Sequence, residues 1–414
     1  MPGVIPPPVK GVLTDRWVLA AAGVLVVAQL LYAFFADPVF DADGYVEYGK
    51  DFANYWQYNH IADTMRTPGY PLFLSAFYET GLEDAGIKVA QTVILTTGLL
   101  ALIAIAELTA GRRAARICAL LIVLYIPLWA FSSIARTEAI AIATIILATL
   151  AVVLSELDDR NWKRWVLAAA TLCAVGVIVR PNSLPPVAIV LLVLAYLSWR
   201  RVGIRGVAIT ALLSALPFLV LFGPWVIRNV SYGGDPEPLG HNPFPLPLGV
   251  HLPYDDDIGK FASFERSYRF FSEQRPDGFT PELAMAGDPW QELRTNVDLQ
   301  TKEFMRTRGV AIFQLWFWPE TPRTGYAEES IVPYPLLMAL HLILLFAGLV
   351  GLVRLRRTPV GAIGLGIFAS LFALHLLYVA LPRYALIVLP FLVLGTAVVM
   401  AQFWESRNSR RLPV

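Results

Sequence analysis

Apolar runs of bilayer-crossing length dominate this chain, with short polar or basic stretches between them. A hydrocarbon core of about 30 Å needs about 20 apolar residues in helical form. Runs of this kind lie at 17–36, 87–108, 116–134, 138–155, 165–180, 184–199, 206–227, 333–353, 359–380 and 384–403. The pattern predicts ten transmembrane helices, two of them short and divided only by "RPNSLPP". The first run ends without a small-residue cleavage site, so it reads as a retained helix. Two polar stretches are much longer than the rest, 37–86 and 228–332. Within the second, 288–318 reads as a helix, with Asp288 as its cap, Pro289 at its first position and aromatics at its end, as at a membrane interface. The chain divides on this pattern into a transmembrane module at 1–227, a capping loop at 228–332, and a helical segment with its tail at 333–414.

Composition sharpens the class. The 414 residues are 56% hydrophobic and 16% charged, with a mean hydropathy of +0.57. Soluble domains carry about 25% charged residues, so the fold class is all-α and polytopic in a membrane. A net charge of +1 and the lack of any basic stripe exclude a nucleic-acid partner. Cys118 and Cys173 both fall inside apolar runs, which excludes a disulfide framework and thiolate zinc. Lys and Arg set the orientation. The short segments 1–16, 111–116, 158–164, 199–205, 354–357 and the tail after Trp404 hold 17 of the 33. Short basic loops stay inside, so both termini are expected to be cytoplasmic and the long loops extracytoplasmic, in a multi-pass plasma (inner) membrane protein.

The informative charges are those that break this rule. Arg136 in "SIARTEA", Arg180 in "VIVRPNS" and Arg383 in "ALPRYA" each sit in a very short outer turn, with Arg66 and Arg228 at a comparable depth. One such arginine reads as a side chain snorkelling to headgroups. Five at one level point to a shared cavity and an anion, because guanidinium matches phosphate in paired hydrogen bonds. Acids accompany them: Asp41, Asp43, Glu47 and Asp51 in the first loop, and Glu138 two residues after Arg136. Cations to hold a departing phosphate and a carboxylate to take an acceptor proton are what transfer from a lipid phosphate requires. Glu47 and Asp51 also fit the polar stripe of an interfacial helix, and Tyr48, Tyr55, Trp56 and Tyr58 fit interfacial anchors. His375, in mid-run, reads as a buried hydrogen-bonding partner between helices.

An ordered set of blocks carries a family resemblance: Asp41 four residues before Tyr45, then "RTPGYPLFLSAFY", "ARTEAIAI", "VRPNSLPP", "PWVIRNVSYGG" and "PRYALIVLPFLVL". This set resembles the GT-C superfamily of membrane glycosyltransferases. Within it, the likeness is to family 39-like members, the bacterial relatives of protein O-mannosyltransferases and of lipid A aminoarabinose transferases. The resemblance implies a GT-C bundle of about ten helices with an outer catalytic loop of interfacial helices. It implies inverting transfer of a hexosyl or pentosyl group from a polyprenyl-phosphate donor to a lipid, glycan or protein acceptor. Asp41 matches the family's base position. This sequence has Asp41-Ala42 where many members have Asp-Glu, so Asp43 is the substitute. Glu138 matches the acidic position of the second outer turn. Arg66, Arg136, Arg180, Arg228 and Arg383 are then the expected phosphate ligands, and Tyr45, His60, Tyr70 and Tyr384 the expected substrate contacts. No organic cofactor is implied; a divalent ion would be held by Asp41 and Glu138. Two other classes compete. A flippase of polyprenyl-linked glycans would also want outer arginines, but with charge near the midplane and repeat symmetry. A lipid acyl- or phosphotransferase would need a His- or Ser-centred nucleophile, and none stands at this level.

Overall fold

The computed structural model describes residues 14–35, 45–55, 67–231, 309, 312–313, 315–317, 334–376 and 382–409. Eleven helices organise these residues: α1 (Arg16–Phe35), α2 (Tyr45–Tyr55), α3 (Gly69–Glu79), α4 (Glu83–Leu124), α5 (Glu138–Leu157), α6 (Trp162–Val179), α7 (Leu184–Val202), α8 (Ile204–Ser231), α9 (Tyr334–Arg354), α10 (Pro359–His375) and α11 (Leu389–Ser409). Eight are long and apolar enough to cross a membrane, and α10, at 17 residues, is a shorter apolar helix. The ten apolar runs of the sequence therefore fall on nine helices, because α4 takes two. At 42 residues and about 1.5 Å per residue it is roughly twice a bilayer's thickness, and it does not run through unbroken. Gly111, at φ +83°, interrupts it inside "GRRAAR". That left-handed geometry is open to glycine and strained for other residues.

Helix α5 is buried along almost its whole length and packs on α4, α6 and α7. A helix apolar all round belongs at the centre of a bundle. Helices α1 and α8 are more exposed, with large apolar side chains such as Leu31 and Leu219 facing outward. Helices α9 and α11 touch backbone to backbone: a Cβ on Gly351 would meet the Gly395 carbonyl oxygen at 1.9 Å. Close crossings of this kind rest on small residues.

The two ends of the bundle are pinned differently. At one end Asp15 caps α1, its Oδ1 accepting the Trp17 backbone N–H at 2.9 Å. Arg116, from the second half of α4, donates twice to Asp15 Oδ2, at 3.0 and 2.8 Å. That guanidinium holds the Asp15 carboxyl below its ordinary range. At the other end a buried polar relay joins α1, α3 and α4 to the turn before α5. Gln29 Nε2 donates to Thr96 Oγ1 (3.1 Å), and Ser132 Oγ donates to Gln29 Oε1 (3.1 Å). Gln91 Nε2 donates to the carbonyls of Ser132 (3.2 Å) and Ile134 (2.7 Å), while Gln91 Oε1 accepts the Tyr70 hydroxyl at 2.8 Å. All four side chains Gln29, Gln91, Ser132 and Tyr70 are fully buried. Two short 3₁₀ turns, Ile126–Leu128 and Ala130–Ser133, precede Glu138, and the relay holds the second at Ser132 and at Ile134 just after it.

Breaking the relay at its centre strands several polar groups at once, and each unsatisfied buried group costs about 1–3 kcal/mol. Gln91→Leu should lower the thermal unfolding midpoint of the detergent-purified protein clearly more than Tyr70→Phe, which removes one hydroxyl and leaves one acceptor short. Equal midpoints for the two variants would contradict the relay.

Candidate functional site

Three chain reversals meet at the relay's end of the bundle. Helix α5 starts there with Thr137 as its cap position and Glu138 in its first turn. Helix α6 stops at Val179 because Arg180 takes an extended conformation (φ −145°, ψ 100°) and Pro181 follows. Pro181–Ser183 forms one 3₁₀ turn, and α7 begins with prolines near its first positions, where their missing N–H costs nothing. Helix α10 ends at His375, and the 3₁₀ turn Pro382–Ile387 carries Arg383 and Tyr384 into α11. A cavity of about 160 Å³ lies between these ends, with Glu138, Arg180, Asn182, His375, Arg383 and Tyr384 in its wall. Leucine and isoleucine side chains from α5, α7 and α10 form the apolar remainder.

The polar wall is organised around two contacts. Arg180 Nη1 lies 2.7 Å from Glu138 Oε1 and donates to Thr137 Oγ1 at 2.8 Å. The Glu138 side chain is 2% exposed and that of Arg180 13%, so the pair is effectively withdrawn from water. Tyr384 is the second centre. The Arg180 guanidinium lies 5.8 Å and the Arg383 guanidinium 5.7 Å from its ring centroid. The His375 imidazole stacks on the same ring, 5.1 Å between centroids and 9° between planes. Among the described residues, the wall holds two guanidiniums and one carboxylate, a balance that suits an anion.

Glu138, Arg180, Arg383 and Tyr384 of the residues singled out from sequence thus share one cavity. Arg136 and Arg228 do not line it. Arg136 sits in the turn before α5, its backbone N–H donating to the Ile134 carbonyl at 2.8 Å. Arg228 packs over the Trp225 ring at 5.0 Å and donates to Asn229 Oδ1 at 3.1 Å, in the last turn of α8. Tyr70 is fully buried in the relay, and Tyr45 meets it edge-on at 5.0 Å. Asp41, Asp43, His60 and Arg66 lie outside the described residues, as does most of 228–332. Asn182, to which the sequence reading gave no role, joins the cavity wall, as does His375, read chiefly as a hydrogen-bonding partner between helices. Asn182 carried a weak signal, lying between the prolines of "RPNSLPP". His341, also passed over, is buried between the Tyr125 hydroxyl at its Nδ1 and the Trp316 carbonyl, 2.8 Å from its Nε2.

Among the described residues no three His, Cys, Asp or Glu side chains form a group that could hold a metal; Glu138 faces a guanidinium, and Asp41, the other expected ligand, lies outside the described residues.

The ion pair makes a stability prediction. Removing one partner of a buried pair costs about 3–5 kcal/mol, because the other charge is stranded, whereas replacing both with apolar groups is often neutral. Arg180→Met alone should therefore lower the unfolding midpoint strongly, and adding Glu138→Leu should restore most of the loss. A double variant no more stable than the single would show that the pair is not closed in the native protein.

Comparison with known proteins adds the fold. No protein-family model matches the chain, and no curated protein matches it in sequence. Among solved structures, the chain is similar to the archaeal oligosaccharyltransferase AglB from Archaeoglobus fulgidus, in complex with an inhibitory peptide and a dolichol-phosphate. Identity is 13%, 96% of this chain and 51% of that one are covered, and the TM-score is 0.51. ArnT from Cupriavidus metallidurans also aligns, bound to undecaprenyl phosphate (14% identity, 96% and 80% covered, TM-score 0.41) and in the apo state (16%, 95% and 81%, 0.40). The fold statement rests on the first of these, of which this chain spans about half the length. The described residues form a polytopic, helical membrane bundle whose fold is similar to that of the AglB structure.

Proposed function

We propose that this protein is an inverting membrane glycosyltransferase, which moves a sugar from a polyprenyl-phosphate donor to an acceptor hydroxyl on the extracytoplasmic side. The observation that carries the reading is the cavity in which Arg180 and Arg383 flank Tyr384 beside the buried Glu138. The AglB structure, whose fold this chain shares, holds a dolichol-phosphate.

The reaction follows from charge. The acceptor hydroxyl loses its proton to a carboxylate, assigned to Asp41 with Asp43 as the substitute. The acceptor oxygen attacks the anomeric carbon from the face opposite the phosphate, and the bond from that carbon to the phosphate oxygen breaks. The phosphate leaves with one more negative charge than it carried in the donor diester. A wall that is net positive and already desolvated stabilises this charge more as it grows, which lowers the barrier rather than merely tightening binding. Glu138 offsets one of two adjacent guanidiniums, so the site is not so positive that it traps the product.

Orientation belongs to the same reading. The basic segments around Gly111, Asp158–Arg164 and Trp199–Arg205 lie at the Asp15 end, which is assigned to the cytoplasm, and the cavity opens on the other side. The 228–332 segment is assigned as the cap over the acceptor. Charged side chains of the described spans lie at helix ends or beside Gly111 rather than at the midplane, which favours an enzyme over a flippase.

The test uses purified full-length protein and a panel of polyprenyl-phosphate sugars. Asp41→Asn should reduce transfer by about 10²–10⁴-fold, the usual worth of a general base, while binding of undecaprenyl phosphate stays at the wild-type level. Arg383→Ala should weaken that binding by about 10- to 100-fold, as loss of a charge-assisted contact does. Wild-type transfer rates in Asp41→Asn would remove the base assignment, and failure of every donor would remove the reading.

A further inference from the structure

His375 stands at the last position of α10, 5% exposed, in a helix otherwise made of apolar and small residues. Its ring is nearly parallel to that of Tyr384, 5.1 Å between centroids, and both line the cavity. Both cavity guanidiniums also lie against the Tyr384 ring, at 5.8 and 5.7 Å. Two like charges set against one another repel, and their spacing must be imposed by something rigid. The electron-rich phenol ring attracts each guanidinium, but a tyrosine in a 3₁₀ turn is free to tilt unless its ring is held. A parallel ring on the neighbouring helix end holds it.

We propose that His375 is a positioning residue of the anion site. By stacking on Tyr384 it fixes the ring that spaces Arg180 and Arg383, so that both guanidiniums can grip one phosphate. The inference rests on the phosphate reading of the cavity and adds to it the part played by α10. It requires a flat ring at position 375 rather than a titrating one. Helix α10 thereby becomes part of the site, although it contributes no charged side chain to the cavity.

The test compares His375→Phe, which keeps a flat ring, with His375→Leu, which removes it, in full-length protein reconstituted in nanodiscs. Binding is measured for undecaprenyl phosphate and, as the probe without phosphate, for undecaprenol. The thermal midpoint is recorded for each variant. Phe should bind undecaprenyl phosphate within about twofold of wild type. Leu should bind it about three- to tenfold more weakly, the worth of one aromatic pair, with undecaprenol binding unchanged. If Leu does not purify in folded form, His375→Asn replaces it, with the same loss expected. The proposal is overturned if the non-aromatic variant binds as wild type does, or if Phe loses as much as Leu. A wild-type protein that binds undecaprenol and undecaprenyl phosphate equally overturns instead the phosphate reading on which the proposal rests.

Discussion

The ion pair between Glu138 and Arg180 is the constraint on which the cavity end of this molecule depends. At 2.7 Å and nearly withdrawn from water, neither charge is tolerable there without the other. The pair ties the first turn of α5 to the residue that ends α6, and so fixes where α7 can begin. Arg383 lies beside the pair in the same wall, and Tyr384 lies against both guanidiniums.

A second layer keeps that pair in place without carrying charge. The relay through Gln29, Ser132, Gln91 and Tyr70 supplies partners for buried groups of the 3₁₀ turns that would otherwise lack them. Such networks specify one arrangement because a partly satisfied alternative is expensive. It connects α3, the last helix within the 37–86 stretch, to the turn that delivers Glu138. At the opposite end, Asp15 and Arg116 pin α1 to the second half of α4, so that the break at Gly111 does not loosen the bundle.

Much of this was legible in the sequence, for physical reasons that differ between residues. The spans were legible because a bilayer demands long apolar helices, and "GRRAAR" divided 87–108 from 116–134 where α4 breaks at Gly111. Glu138, Arg180 and Arg383 stood out as charges placed where membrane helices avoid them, and Tyr384 by adjacency to Arg383. Tyr70 looked like an exposed substrate contact because an aromatic beside a polar loop has the same signature whether it faces a cavity or the interior. Only its hydroxyl contact with Gln91, 21 residues away, distinguishes the two. Arg136 and Arg228 share the depth of the cavity arginines but not their direction, which a linear spacing does not encode. His375 was read as an interhelical hydrogen-bonding residue; its stacking on Tyr384 depends on how α10 meets a turn that follows it in sequence.

The central claim is that the guanidiniums of Arg180 and Arg383 converge on the phosphate of a polyprenyl carrier. The most direct measurement is an experimental density map of the full-length protein with undecaprenyl phosphate in a lipid nanodisc. The account predicts the phosphate inside the cavity beside Tyr384, within hydrogen-bond distance of both guanidiniums, with the isoprenoid chain leading out into the bilayer. A phosphate bound elsewhere, with Arg180 still closed on Glu138 and the cavity vacant at saturating lipid, would contradict it.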